Sequence, residues 1–185
     1  VNLGRLNFVG FIEIFQLNDT MATARSQESI CSLVEDRSLV LETEGVRKPD
    51  YNGVVVTEDK LLVIEDIARN LQLYSRRDGK LLSSHRLEAD PMGVCLISKT
   101  EVAVCLWNCE IVILSLKSVD DVELVNTLDV STGFTWCHSV AKLNSDKLVV
   151  SGVKYGMLCW GVVSITDGRL DSTHDICKWD FYGCR

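Results

Sequence analysis

Apolar and polar residues alternate along most of the chain after residue 53, with the two-residue period of β-strands. Residues 53–56 and residues 60–64 are apolar runs separated by a short polar turn, as in an antiparallel strand pair. Residues 70–74 alternate strictly, and the Asp78-Gly79 pair that follows is a signal for a tight hairpin turn. This stretch therefore predicts four short antiparallel strands.

The same four-strand pattern recurs twice further along the chain. Four-stranded units of about 40 to 45 residues that repeat in this way are typical of β-propeller blades. The sequence therefore predicts an all-β fold, with a propeller region over residues 51–185 and blades at about 53–90, 91–132 and 133–177. A β-sandwich with regularly spaced turns is the alternative, but it does not account for the long-period repeat.

Residues 1–50 do not follow this repeat. Residues 11–15 alternate as a strand, residues 30–41 indicate a hairpin, and the polar stretch 18–28 indicates a loop. We interpret the region as a divergent or incomplete blade. Most propellers have more blades than three clear units and a doubtful fourth, so the sequence favours a fragment with open sheet edges that tend to associate. A closed four-bladed propeller, in which residues 1–50 supply the fourth blade, is the alternative.

Charge and cysteine usage narrow the classes of function. The 185-residue chain has 26 acidic and 19 basic residues, and its formal net charge of −7 disfavours nucleic acid as a partner. No apolar run approaches the roughly 20 residues that a membrane-spanning helix needs, so we expect no membrane association. Most of the eight cysteines lie in apolar strings and no C-x2-C pair occurs, which favours reduced core thiols, no metal site and a cytoplasmic location.

Part of the repeat resembles a known family. Residues 62–82 resemble an NHL-type blade, in which a strand that ends in Asp is followed by a short loop, an alternating strand and an Asp-Gly-Lys turn. Residues 91–95 and 101–104 resemble the opening of the next blade. The resemblance covers about residues 50–177 and is to the propeller at the C-terminus of invertebrate tripartite-motif-like proteins.

The resemblance implies a partial propeller that recruits substrates for a tripartite-motif-type ubiquitin ligase. The ligase part is not in this sequence, because the cysteine and histidine spacing of RING and B-box domains does not occur. The Asn and Arg usual in the family's inter-strand loop are displaced here, as Arg69 and Asn70, so no role of that loop carries over.

Binding residues of a propeller concentrate in the turns between second and third strands and in the connections between blades, which emerge on one face. Exposed Trp, Tyr and Arg are the residue types that dominate protein interfaces. The sequence therefore predicts an interaction module whose protein partner contacts these loops. The candidate residues are Arg69, Trp107, Asn108, Phe134, Trp136, Lys154 and Tyr155. For Trp107 and Trp136, burial between blades is the alternative interpretation.

The sequence shows no G-x-S-x-G, H-E-x-x-H or phosphate-binding glycine motif, so we expect a non-catalytic chain without a cofactor. Two alternatives remain, an RNA-binding propeller, which some members of the resembled family are, and a propeller enzyme with a site in its central channel. The first would use a local basic patch of Arg47, Arg69 and Lys154. The second would use Glu65, Asp66 and His138.

Overall fold

The computed structural model describes residues 3–5, 40–42, 51–65, 68–118 and 121–178, and every regular element among them is a β-strand. The first strands are β1 (Leu3–Arg5), β2 (Val40–Glu42), β3 (Tyr51–Val56), β4 (Lys60–Glu65), β5 (Asn70–Ser75), β6 (Leu81–Arg86) and β7 (Pro91–Leu96). They are followed by β8 (Glu101–Leu106), β9 (Glu110–Ser115), β10 (Glu123–Asp129), β11 (Trp136–Lys142), β12 (Lys147–Lys154), β13 (Met157–Ser164) and β14 (Leu170–Lys178).

Twelve of these strands form three four-stranded antiparallel sheets. Sheet 1 contains β3 to β6, sheet 2 contains β7 to β10 and sheet 3 contains β11 to β14, and within each sheet every strand pairs with the next one in the chain. The predicted all-β class and the three four-stranded units are confirmed. Sheet 1 begins at Tyr51 and sheet 3 ends at Lys178, slightly outside the predicted blade limits.

In the region before residue 51, β1 pairs antiparallel with β2, with Gly4 opposite Leu41. The predicted strand at 11–15 and the predicted loop at 18–28 lie outside the described residues, as does the predicted hairpin at 30–41 apart from Val40 and Leu41. The interpretation of this region as a divergent blade therefore stays a prediction.

The turn between third and fourth strands repeats in sheets 1 and 3. In sheet 1 the Gly79 N–H donates to the Ser75 carbonyl, and in sheet 3 the Gly168 N–H donates to the Ser164 carbonyl, at 2.9 and 3.0 Å. Gly79 and Gly168 have φ values of 72° and 70°, the left-handed region that glycine adopts without a steric penalty. The predicted Asp78-Gly79 turn is confirmed. Sheets 1 and 3 have the same hydrogen bond and the same glycine conformation in this turn.

The three sheets pack face to face, and their first strands β3, β7 and β11 are neighbours. Successive side chains of a strand point to opposite faces. Val102 and Val104 of sheet 2 therefore belong to the core shared with sheet 1, whereas Ala103 and Cys105 belong to the core shared with sheet 3. Sheet 2 is thus buried on both faces, in a row of three sheets that differs from the two facing sheets of a sandwich.

A buried lysine joins sheets 1 and 2. Lys60, the first residue of β4, is 5% exposed, and its Nζ donates to the carbonyl of Leu116 at 2.7 Å and to the carbonyl of Ser118. Both carbonyls lie in the turn between β9 and β10. Because a buried ammonium is costly without hydrogen-bond acceptors, these two bonds fix the distance between the sheets at this end.

Five cysteines in the described part of the chain are free thiols, and they pack between sheets 2 and 3. Cys105, Cys109, Cys137 and Cys159 are buried members of that core, and Cys95 packs against it. Burial raises the pKa of the Cys95 and Cys105 thiols to about 12. These side chains act as the small core hydrophobes that the sequence predicts.

Candidate functional site

One end of the three sheets carries the turns between second and third strands and the connections that lead from one sheet to the next. Trp107 follows β8, and its N–H donates to the carbonyl of Asp90 in the connection between sheets 1 and 2, at 2.9 Å. Thr135, in the connection between sheets 2 and 3, donates its N–H to the carbonyl of Val153 at 2.6 Å. We call this end the loop face and define it by Arg69, Asp90, Trp107, Trp136 and Tyr155.

An aromatic pair spans sheets 2 and 3 on the loop face. The rings of Trp107 and Trp136 stack with their centroids 5.3 Å apart and their planes 7° from parallel. Trp136 is half-buried, but Trp107 is 43% exposed although it is among the largest apolar side chains. Trp107 is therefore a surface residue rather than part of the core between sheets, and Trp136 supports it from one side.

His138 completes this cluster. The Trp136 Nε1–H donates to Nε2 of His138 at 3.1 Å, and the Trp107 ring meets the imidazole edge-on, with centroids 6.2 Å apart. A nitrogen that accepts a hydrogen bond carries no proton, so the imidazole is neutral in this arrangement. Burial also lowers the pKa of His138, which favours the same neutral form.

His138 is placed by a β-bulge that all three first strands share. The register of β11 against β12 shifts between Cys137 and Ser139, which leaves His138 as the extra residue. Asn52 in β3 and Met92 in β7 occupy the same position in their sheets. A bulge re-aims the side chain that it carries, and these three bulges lie next to the loop face.

The residues before Trp136 correct one part of the predicted site. Phe134 is only 3% exposed and belongs to the core between sheets 2 and 3, so its predicted place on the binding face is wrong. A Cβ on Gly152 would lie 2.8 Å from the Phe134 ring and would also clash with the Trp136 carbonyl, so glycine permits this close approach. The Phe134 ring fills the space over β12 and β13 that Gly152 and Gly161 leave.

Arg69 ties sheet 1 to the connection that leads into sheet 2. Its Nε lies 2.5 Å from Oδ1 of Asp90, and its Nη1 donates to the Glu88 carbonyl at 3.3 Å. Asp90 in turn accepts the Trp107 N–H through its backbone carbonyl. Arg69 therefore acts on the position of Trp107 through Asp90, and part of its guanidinium is already used within the molecule.

Lys154 and Tyr155 form the turn between β12 and β13. The Tyr155 side chain is 88% exposed, and its φ of 51° lies in the left-handed region that is unfavourable for bulky residues. Lys154 Nζ donates to the Thr132 carbonyl at 3.2 Å and lies 5.7 Å from the centre of the Tyr155 ring. Arg69 and Cys109 have a similar left-handed φ in the matching turns of sheets 1 and 2, so this conformation belongs to the turn. The exposure of the Tyr155 ring is what makes it available at the surface.

Apart from the buried Phe134 and from Arg69, which pairs with Asp90, the predicted candidates separate into three groups. Trp107 and Trp136 come together, Lys154 lies beside Tyr155, and Asn108 is exposed with its Nδ2 donating to Glu110 at 2.7 Å. The sequence prediction missed His138 as a member of the tryptophan cluster. The pattern Trp136-x-His138 was the available signal, but a bulge breaks the two-residue period on which the prediction depends.

The enzyme alternative names Glu65, Asp66 and His138 as its candidate residues. Burial raises the pKa of Glu65, Asp66 lies outside the described residues, and His138 is bonded to Trp136. Within residues 51–65, 68–118 and 121–178, no three His, Cys, Asp or Glu side chains are grouped to hold a metal ion. In the same part of the chain, no helix is long and apolar enough to cross a membrane.

No family model and no curated protein sequence match this chain. Hydrazine synthase from Kuenenia stuttgartiensis superposes with a TM-score of 0.61 at 15% identity, over 76% of this chain and 41% of that chain. BamB from Moraxella catarrhalis superposes with a TM-score of 0.52 at 15% identity, over 70% of this chain and 38% of that chain. The computationally designed Ika8 protein gives 0.55 at 14% identity, over 74% and 38%.

BamB and hydrazine synthase are β-propeller proteins, so the propeller fold predicted from the sequence repeat is confirmed. At this level of identity the similarity shows the fold alone. The chain spans about two fifths of the length of these solved structures. The narrower resemblance to NHL-type and tripartite-motif-like propellers is not shown by these matches.

Proposed function

We propose that this chain is a non-catalytic β-propeller module that binds a protein partner through its loop face. The observation that carries the proposal is the exposed Trp107, which stacks on Trp136 instead of entering a core. Large aromatic side chains at a surface lower solubility unless they are covered, and they contribute disproportionately to the stability of protein complexes.

Two further features support the same face. Tyr155 is almost fully exposed, and it flanks Lys154. Arg69 and Asp90 hold the Trp107 backbone in place, so the aromatic anchor is preorganised. A preorganised anchor loses less conformational entropy when a partner binds.

The test is a quantitative capture experiment with the purified chain immobilised on a resin. The double variant Trp107→Ala with Tyr155→Ala should lose specific partners, because both side chains are exposed and their removal leaves the core intact. The matched control is Leu143→Ala, a 53% exposed apolar residue in the turn between β11 and β12, at the opposite end of sheet 3. Circular dichroism of each variant verifies the fold.

A captured protein counts as a partner only if it binds the purified chain directly, as measured by calorimetry. The proposal expects the double variant to weaken that binding at least about tenfold, a change of about 1.4 kcal/mol. If a folded double variant kept every direct partner at wild-type affinity, the loop face would not be the binding surface.

The finer role of recruiting substrates for a tripartite-motif-type ubiquitin ligase is proposed on the resemblance of residues 62–82 alone. A cytoplasmic location is proposed with it, since buried free thiols suit a reducing compartment. RNA binding is less favoured, because Asp90 and the Glu88 carbonyl already engage Arg69, and Lys154 donates to Thr132. Retention of single-stranded RNA on filters, if it decreased with salt, would favour the RNA alternative.

A further inference from the structure

The charges at the loop face indicate the chemistry of the partner that it can accept. They lie in its turns and connections and on the strand residues that adjoin them. The described acidic residues there are Glu65, Glu88, Asp90, Glu110 and Asp129, and the described basic residues are Arg69, Arg86 and Lys154. The loop face therefore has an excess of negative charge, as does the whole chain with its formal net charge of −7.

The bases of the loop face are largely engaged within the molecule, whereas two of its acids are not. Arg69 pairs with Asp90, and Lys154 donates to a backbone carbonyl. Among the ion pairs of the described residues, none includes Glu110 or Asp129. These two carboxylates are therefore the negative charges that a partner can neutralise.

Glu110 and Asp129 lie directly opposite each other, on the neighbouring strands β9 and β10. Like charges in this arrangement are destabilising, so the pair does not serve the stability of the sheet. Each carboxylate has one neutral donor, since Asn108 Nδ2 donates to Glu110 at 2.7 Å and the Ser131 N–H donates to Asp129 at 2.8 Å. The bond from Ser131 also lowers the pKa of Asp129, which keeps this carboxylate ionised.

Trp107 lies three residues before Glu110 in the chain and supplies an aromatic surface beside these charges. Trp136 stacks on one face of the Trp107 ring, so the exposed part of this side chain lies at its other face and its edges. His138 meets the ring edge-on and is neutral in this arrangement, so it places no positive charge beside the indole. The face of an indole attracts cations, more strongly than other aromatic rings do.

We propose that the loop face binds its partner through a basic, arginine-bearing segment, an inference that rests on the proposed function and names the chemistry of the partner. One guanidinium of the segment stacks on the free face of Trp107. A second cation of the segment pairs with Glu110 and Asp129 and removes the repulsion between them. The negative charge of this end also attracts a basic segment before contact, which raises the rate of association.

Arginine fits this surface better than lysine does. A guanidinium is planar, stacks on aromatic rings, is weakly hydrated and binds a carboxylate through two parallel hydrogen bonds. A lysine ammonium is a compact and strongly hydrated charge that offers no flat surface to the Trp107 ring. An acidic partner would instead face the unpaired carboxylates of Glu110 and Asp129.

The test measures the binding of short capped Gly-Ser peptides to the purified full chain by calorimetry. The peptides carry arginine, lysine or glutamate at the same positions, so that only the side-chain chemistry differs. At low salt the arginine peptide should bind, the lysine peptide should bind more weakly, and the glutamate peptide should not bind. The affinity for the arginine peptide should decrease as salt is added, because salt screens exposed charges.

The double variant Glu110→Gln with Asp129→Asn removes both charges but keeps the oxygens that accept the internal hydrogen bonds. It should weaken binding of the arginine peptide at least about tenfold. The matched control is Glu58→Gln with Asp146→Asn, which changes the net charge equally at two exposed turn residues of the opposite end and should leave binding unchanged. Trp107→Leu should remove the preference for arginine over lysine, because leucine has no aromatic face.

Circular dichroism verifies the fold of each variant, and Glu110→Gln alone carries the test if the double variant does not fold. The proposal is overturned if the arginine peptide does not bind the wild type, or if the lysine peptide binds equally well. It is also overturned if the Glu110 and Asp129 variant binds the arginine peptide no more weakly than the control variant does, because the attraction would then come from net charge alone.

These outcomes are distinct from a failure of the proposed function. A direct protein partner that requires Trp107 and Tyr155, but binds the Glu110 and Asp129 variant at wild-type affinity, would overturn only the basic character of the partner. The loop face would then remain the binding surface. Loss of that partner from the Glu110 and Asp129 variant, with retention by the Glu58 and Asp146 control, is the result that the proposal expects.

Discussion

The hydrogen bond from Trp136 to His138 exists only while the imidazole Nε2 is free of a proton. In the unfolded chain this histidine titrates near its ordinary pKa of about 6.5. In the folded protein, burial lowers the pKa of His138. Folding therefore favours the neutral form of His138. Protonation of Nε2 would bring a second N–H opposite the Trp136 N–H, and the hydrogen bond between the two side chains would be lost.

The sign of this shift gives a pH dependence. A histidine whose pKa is lowered on folding contributes stability above its unfolded pKa, and this contribution is lost as the pH falls from about 6.5 through the folded value. We expect the melting temperature to decrease over that window, together with a change in tryptophan fluorescence. Thermal melts between pH 7.5 and pH 5 measure both effects.

The control variant is His138→Gln, whose amide oxygen accepts the Trp136 N–H at all of these pH values. The difference between wild type and variant isolates this site from His85 and His174. Parallel melting curves for the two proteins over the whole pH range would show that His138 does not contribute.

The hydrogen bonds from Lys60 to the Leu116 and Ser118 carbonyls connect two elements, β4 and the turn after β9. They therefore depend on the distance between sheets 1 and 2. Lys60→Met keeps the length and apolar stem of the side chain but removes the ammonium. The Leu116 and Ser118 carbonyls then lose a buried donor, and we expect a loss of about 1–3 kcal/mol in the free energy of unfolding. Urea denaturation monitored by circular dichroism measures it.

Lys99→Met is the matched control for that prediction. Lys99 lies in the turn between β7 and β8 and is exposed, so its substitution should change the free energy of unfolding by less than about 0.5 kcal/mol. Equal effects of the two substitutions would mean that the Lys60 hydrogen bonds contribute little net stability beyond the cost of desolvating the ammonium.

Strands and turns were predictable at the element scale, whereas contacts between sheets were not. Apolar runs locate β4 and β8, whose side chains are buried on both faces, alternation locates β5, and Asp78-Gly79 identifies its turn by backbone chemistry. Phe134 was assigned to the surface because loop position does not reveal the space left by Gly152. Lys60 was not singled out, since an inter-sheet acceptor is invisible in a local pattern.

At the scale of the whole molecule, the candidate binding face depends on sheets that differ in how fully they are enclosed. Trp107 is carried by sheet 2, which has neighbours on both faces, and Trp136 by sheet 3, which has one described neighbour. The stacked rings of Trp107 and Trp136 thus connect sheet 2, which is covered on both faces, to sheet 3, which has a described neighbour on one face. Their geometry depends on sheets 2 and 3 remaining packed together.

Hydrogen exchange measures this difference in enclosure. The amides of β8 and β9 should exchange slowest, because both strands are central in sheet 2 and their side chains are buried on both faces. The amides of β14 should exchange fastest among the strands of sheet 3, since it is the last strand of its sheet and its described side chains are largely exposed.

The order of exchange distinguishes two ways in which the molecule can open. If sheet 3 separates before sheet 2 unfolds, β12 and β13 exchange faster than β8 and β9, and the tryptophan stack is lost while sheets 1 and 2 remain folded. If all three sheets open together, the central strands of every sheet exchange at one rate. We expect the first order, because sheet 3 has a described neighbour on one face only, whereas separating sheet 1 also breaks the buried Lys60 bonds.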